Sequence, residues 1–220
     1  MPTTMRSFVA AIAVFLFIPA THASAQHRRG LVDISRRDDR HGFWLTIGAG
    51  AGSENYRYTN DVGCNAVIGA YQCDNNVKPS FTLALGGTVN PQLRLGGEIH
   101  GWVWDHFSSS ANEQVTSYLV GGLLTGQLYP ARKMGLFVKG GLGISRSGES
   151  FQYSGNAGET GFAYLVGAGY EIKLARTIFL TPTVSMMRHI STNPNDVQDL
   201  GTFHERLLSV GIGLTIQPGR

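Results

Sequence analysis

Three residues near the end of the chain are of the right types for hydrolytic chemistry. The stretch "MRHISTNPND" (187–196) carries His189 and Ser191 two positions apart, and Glu205 follows on the next patterned segment. A spacing of two puts His189 and Ser191 on one face of a strand. A serine nucleophile, a histidine base and an orienting carboxylate are the parts of a catalytic triad. Whether they can act as one depends on the elements that hold them and on the direction their side chains face.

Those elements read as strands throughout. "HGFWLTIGAGAGSENY" (41–56) sets Gly48, Gly50 and Gly52 on one face and Phe43, Leu45, Ile47, Ala49 and Ala51 on the other. Glycine weakens an ordinary strand, but it fits the crowded inner face of a small closed sheet. Eight alternating segments follow one another, over roughly 43–58, 79–90, 92–106, 114–128, 134–146, 160–172, 177–190 and 204–216. Each is long enough to cross a bilayer when tilted, which takes about 9–11 residues. Short connections ("VNPQL", "YPARKM", "EIKLAR") alternate with longer polar ones at 59–78, 107–113, 147–159 and 191–203. Tight turns at one end and long loops at the other are the habit of outer-membrane barrels. The expected fold is therefore all-β, an eight-stranded antiparallel up-and-down transmembrane β-barrel over 42–216, with both ends on the periplasmic side.

The strand faces agree with a lipid-facing exterior. Leu93, Leu95, Ile99 and Val103 oppose Arg94, Glu98 and His100, while Leu136, Val138, Leu142 and Ile144 oppose Lys139, Gly141, Gly143 and Ser145. A bore of eight strands is just wide enough for side chains to fill. Arg94, Glu98 and Lys139 are expected to form an interior polar network, because buried charges must be paired; Glu98 has either Arg94 or Lys139 as a partner. Tyr56, Tyr58, Trp102, Trp104, Tyr129, Tyr170 and Phe179 fall toward strand ends, where an aromatic belt would meet the bilayer interface. Pro182 stands inside the seventh segment, so its missing N–H must meet a bulge or the end of a ladder.

Ahead of the barrel, residues 1–25 have the layout of a cleaved secretory signal: Arg6, the apolar run Phe8–Ile18, and Ala23-Ser24-Ala25. Residues 26–41 are charged and unpatterned and read as a flexible basic leader. The two cysteines, Cys64 and Cys73, sit in a turn-rich segment of an exported chain, which favours a disulfide stapling the loop 59–78. The net charge of +3 is too small to point to nucleic acid. His100, His106 and His204 are scattered, and no metal or cofactor is assigned.

With the signal segment, "FWLTIGAGAG", "LRLGGEIHG", "GLFVKGGLGI", "AYLVGAGYEI" and "LLSVGIGLTI", residues 42–216 resemble the small eight-stranded outer-membrane β-barrel proteins of Gram-negative bacteria. The resemblance implies an outer-membrane location, outer-membrane lipid and lipopolysaccharide as surroundings, and insertion by the outer-membrane assembly machinery. The chain closes on "LTIQPGR" where such barrels usually end on an aromatic residue. The segment around His189 is also similar to the His-x-Ser of outer-membrane lipid A deacylases, with Thr192 where that family usually has asparagine. That likeness would make His189 the base, Ser191 the nucleophile and Glu205 the orienting acid. Strand parity, however, sets His189 with Thr181, Thr183 and Ser185 toward the interior, whereas a lipid-acting site faces lipid. The expected protein is therefore a non-enzymatic barrel with a structural or surface-binding role through loop 59–78 and no open channel; the alternatives are a deacylase-like hydrolase and a small narrow pore.

Overall fold

The computed structural model describes residues 40–58, 77–108, 112–153, 155–192 and 202–218. Cys64, Cys73, the signal segment and the leader up to residue 39 lie outside the described residues. The elements are β1 (Phe43–Tyr58), β2 (Val77–Asn90), β3 (Leu93–Ser108), β4 (Glu113–Leu128), β5 (Leu136–Phe151), β6 (Gly155–Tyr170), β7 (Ile172–Lys173), β8 (Ile178–Thr192) and β9 (Thr202–Ile216). Each long strand pairs antiparallel with its sequence neighbour, β1 pairs with β9, and β6 pairs with β8. The two-residue β7 only extends the edge of β8. The result is a closed barrel of eight long strands, as the alternating segments predict. Closure leaves no unpaired edge for lipid to meet, which a spanning sheet requires.

The two faces sort by parity. Ile47, Leu124, Leu142, Ile144, Val210 and Ile212 stand exposed on the outside. Lys78, Arg94, Glu98, His100, Lys139 and Glu205 are buried within. This inverts the soluble-protein arrangement because the outer solvent is hydrocarbon. Pro182 lies opposite Ile212 of β9, and the β6–β8 ladder stops beside it at Gly169↔Thr183. The proline therefore stands where no β6 ladder bond is asked of it.

Two expectations need correction. The connection expected over 147–159 is mostly strand, since β5 runs to Phe151 and β6 starts at Gly155. A hairpin held by its own backbone bonds stands there instead of a loop. Trp102, Tyr129 and Phe179 do not join an interfacial belt; they are buried. Trp102 lies well inside β3, while Tyr129 and Phe179 lie at the periplasmic ends of β4 and β8; all three side chains are buried, and closeness to an end does not set the face.

Glycine makes the tight curvature possible. Gly50 pairs with Gly211 across β1 and β9. A Cβ on Gly50 would overlap the Val210 carbonyl oxygen and lie 2.6 Å from Gly211 Cα. Gly87, by contrast, has open space around its Cβ direction. Gly50→Ala is expected to lose the heat-modifiable band of a folded barrel on a semi-native gel, since overpacking against fixed backbone costs about 1–3 kcal/mol or more. Gly87→Ala is expected to keep it. Equal behaviour of the two variants would refute the steric account.

Candidate functional site

The interior is built in levels. At the periplasmic end, Arg94 Nη1 lies 2.5 Å from Glu171 Oε1 and 2.8 Å from Tyr129 Oη. Arg94 Nη2 donates to Gln217 Oε1 at 2.6 Å. Arg40 closes this end from below. Its guanidinium lies 3.8 Å from the Tyr129 ring centroid, 3.4 Å from Glu171 Oε2, and donates to the carbonyls of Arg132 and Met134. Gln217 in turn donates to the His41 carbonyl at 2.9 Å. Tyr129 lies in the connection after β4, and burial pushes its phenol above the ordinary value; Glu171 adds to the shift while Arg94 and Arg40 oppose it.

A second polar level lies above. Lys139 Nζ donates to Glu98 Oε1 at 2.6 Å, and both side chains are almost fully enclosed. His100 is held between Thr82 Oγ1 at 2.8 Å and Ser209 Oγ at 3.2 Å. Thr46, Thr215 and Thr181 form a chain of hydroxyls with 2.8 Å contacts. The cavity at this level measures about 30 Å³ and is bounded by Thr46, Thr82, Glu98, His100 and Lys139. That is room for two or three water molecules, at roughly 10–15 Å³ each.

Next comes an apolar layer: Trp102, Leu119, Leu123, Ala163, Leu165, Met187 and Leu207 pack together inside the bore. Sequence reasoning expected polar and small residues here. β4 carries leucines on both of its faces, so its apolar pattern alone does not say which row meets lipid. Above this layer Lys78 pairs with Glu54, and its Nζ lies 3.9 Å from the Trp102 ring centroid.

The residues suggested for hydrolysis lie in the interior beyond the apolar layer, beginning one inward position past Met187 and Leu207. His189, Ser191 and Glu205 are all buried, and His189 is the direct cross-strand partner of Glu205. They face inward together, as the parity of β8 predicts. Their hydrogen bonds do not form the relay. His189 Nδ1 meets Ser145 Oγ at 2.6 Å, and Ser191 Oγ donates to a Glu159 carboxylate oxygen. His189 Nε2 and both carboxylate oxygens of Glu205 make no hydrogen bond of good geometry. Ser191 thus offers its hydroxyl to a carboxylate and not to the His189 imidazole. Among the described residues, no group of three or more His, Cys, Asp or Glu is placed to hold a metal ion.

Of the three residues expected to share a network, the structure joins Glu98 to Lys139 and gives Arg94 to Glu171. Sequence reasoning missed Glu171, Gln217 and Arg40 and assigned Tyr129 to the interface instead of the network. Glu171, Tyr129 and Gln217 directly follow the periplasmic ends of β6, β4 and β9, and Arg40 lies three residues before β1.

The model of the outer membrane protein beta-barrel domain family matches residues 10–213. Among solved structures, the chain is similar to Ail, the attachment invasion locus protein of Yersinia pestis, in complex with the heparin analogue sucrose octasulfate. That likeness has 11% identity and a TM-score of 0.50, covering 80% of this chain and 99% of that one. It is similar also to Neisserial surface protein A, at 13% identity and a TM-score of 0.50, covering 80% of this chain and 97% of the other. Both likenesses concern the fold. No curated protein matches the chain.

Lys139→Met alone should strand the Glu98 carboxylate, and breaking a buried pair costs about 3–5 kcal/mol. Adding Glu98→Leu should recover most of that loss, read as the urea midpoint of the folded barrel in micelles. A double variant no more stable than the single one would show that the ion pair is not what Lys139 contributes. Because Ser191 is committed to Glu159 inside the bore, Ser191→Ala is expected to leave lipid A acylation of expressing cells unchanged by mass spectrometry.

Proposed function

Starting from a chain that belongs to the outer membrane protein beta-barrel domain family, we propose that this outer-membrane barrel acts through what its outer rim presents rather than through its interior. One observation carries this reading. The bore is crossed by the Arg94–Glu171 network, the Lys139–Glu98 level and the apolar layer around Trp102 and Leu119. Such a filled interior supports a scaffold. It offers neither a wide water path nor a nucleophile turned toward lipid. Outer-membrane lipid, lipopolysaccharide and the assembly machinery are its general partners as a member of the family.

The binding element in this reading is loop 59–78, closed by a Cys64–Cys73 disulfide. A bridge lowers the ordering cost of a loop and preorganises it for a partner. Residues 1–25 are the export signal, so the mature chain begins at Gln26. The structure of Ail was solved with a heparin analogue, which makes sulfated glycan a sensible first probe here.

The test compares cells displaying the intact chain with cells displaying a chain lacking 62–76, on surfaces coated with heparin or matrix protein. The deletion should keep the heat-dependent gel shift and lose at least tenfold in adhesion. Unchanged adhesion on every coating would remove the loop from the function. Purified barrel in a planar bilayer is expected to give no discrete conductance steps; regular steps would favour the pore instead.

A further inference from the structure

The outer edge of the lipid-facing surface carries an arrangement that the scaffold does not need. Arg188 on β8 and Arg206 on β9 are direct cross-strand partners. By parity both point outward, with the apolar pairs Met186↔Leu208 and Val184↔Val210 on the periplasmic side of them. Like charges placed opposite each other on neighbouring strands repel. Among the described residues neither guanidinium enters an ion pair. The row continues on both sides: Tyr164 of β6 is the partner of Arg188, and Asn55 of β1 is the partner of Arg206. Both lie on the outward face, so four adjacent strands present hydrogen-bonding side chains at one register.

The height of the row is informative. Arg206 stands ten residues from Ile216, the last outward apolar residue of β9. At about 3.3 Å per residue and a tilt of about 40°, that is roughly 25 Å, the height of the apolar band of such barrels. The arginines therefore sit close to the outer border of the hydrocarbon, one outward pair below Phe162↔Ile190, where a long guanidinium side chain reaches the head groups. The opposite end of the same strands is fixed as periplasmic by its tight turns.

We propose that Arg188 and Arg206, flanked by Tyr164 and Asn55, form a docking site for the phosphates of an outer-leaflet glycolipid. A phosphate between two guanidinium groups turns their repulsion into two charge-assisted contacts, and the planar fork of arginine suits bidentate capture. Tyr164 and Asn55 would meet the neighbouring sugar hydroxyls. The acyl chains would lie on the apolar surface formed by Met186, Leu208, Val184 and Val210. The site deepens the lipid contact that the barrel fold implies, and it rests on the loop-bearing end being outermost.

The folded protein would be refolded in micelles doped with bisphosphorylated lipid A, its monophosphoryl form or phosphatidylcholine, and retained lipid counted by native mass spectrometry. The intact chain should hold bisphosphorylated lipid A at least tenfold better than the variant carrying both Arg188→Gln and Arg206→Gln. Monophosphoryl lipid A should fall between, and phosphatidylcholine should not be retained. Arg176→Gln, a charge removed from the periplasmic connection between β7 and β8, should bind as the intact chain does. If the double glutamine variant lacks the heat-dependent gel shift, Arg188→Lys with Arg206→Lys takes its place and should lose several-fold. Equal retention by the folded double variant would overturn the site. Displacement of the lipid by millimolar inorganic phosphate would overturn the glycolipid assignment. Loss of retention in Arg176→Gln alone would place the lipid at the tight-turn end of the barrel and overturn the site as well.

Discussion

Everything in this protein follows from the need to satisfy backbone hydrogen bonds where no water is present. In hydrocarbon an unpaired N–H or carbonyl costs several kcal/mol, so a sheet can span only by closing on itself. The pairing of β6 with β8 and of β1 with β9 meets that demand. Closure with eight long strands makes the bore narrow, and a narrow bore brings inward Cβ atoms against neighbouring backbone. Gly50 and Gly211 face each other where a side chain would collide. Pro182 is accommodated because the adjoining β6 ladder ends at its position.

The same closure fills the interior with charge, and the charge then has to be neutralised. Lys139 with Glu98, Arg94 with Glu171 and Lys78 with Glu54 each place opposite charges in contact inside a low-dielectric enclosure. Such pairs contribute little net stability against hydrophobic replacements, but each is costly to break. Their importance lies in the cost of losing one partner, which would leave the other charge buried alone. The apolar layer around Trp102, Leu119 and Met187 lies between the polar levels. Glu205 and His189 lie above it, with His189 Nε2 and the Glu205 carboxylate without a hydrogen bond of good geometry.

The two ends are finished differently. At the periplasmic end, Arg40 and Gln217 bring residues just outside the first and last strands into one network with Glu171, so the start and finish of the sheet are tied together. At the outer end, β5 and β6 continue as a hairpin beyond the last β6–β8 pair, Phe162↔Ile190. Variation at that end leaves the membrane ladder intact, which is why surface roles are most readily built there.

The sequence by itself determined the number of crossing strands, their approximate limits, and which row of each clearly alternating strand meets lipid. Period-two alternation is a local property, and a bilayer enforces it on every crossing. It also placed His189 and Ser191 on the inner face, since parity runs unbroken from Thr181 to Ser191 in the structure. What alternation does not encode is which inward residues meet across the bore. Only the tertiary structure decided that Glu98 takes Lys139, that Arg94 takes Glu171 from a turn, and that Ser191 turns to Glu159 instead of His189. Only closure could draw Arg40 out of an unpatterned basic stretch and set it against Tyr129. Contacts across the bore depend on strand tilt and register, which join residues far apart in the chain and leave no local mark.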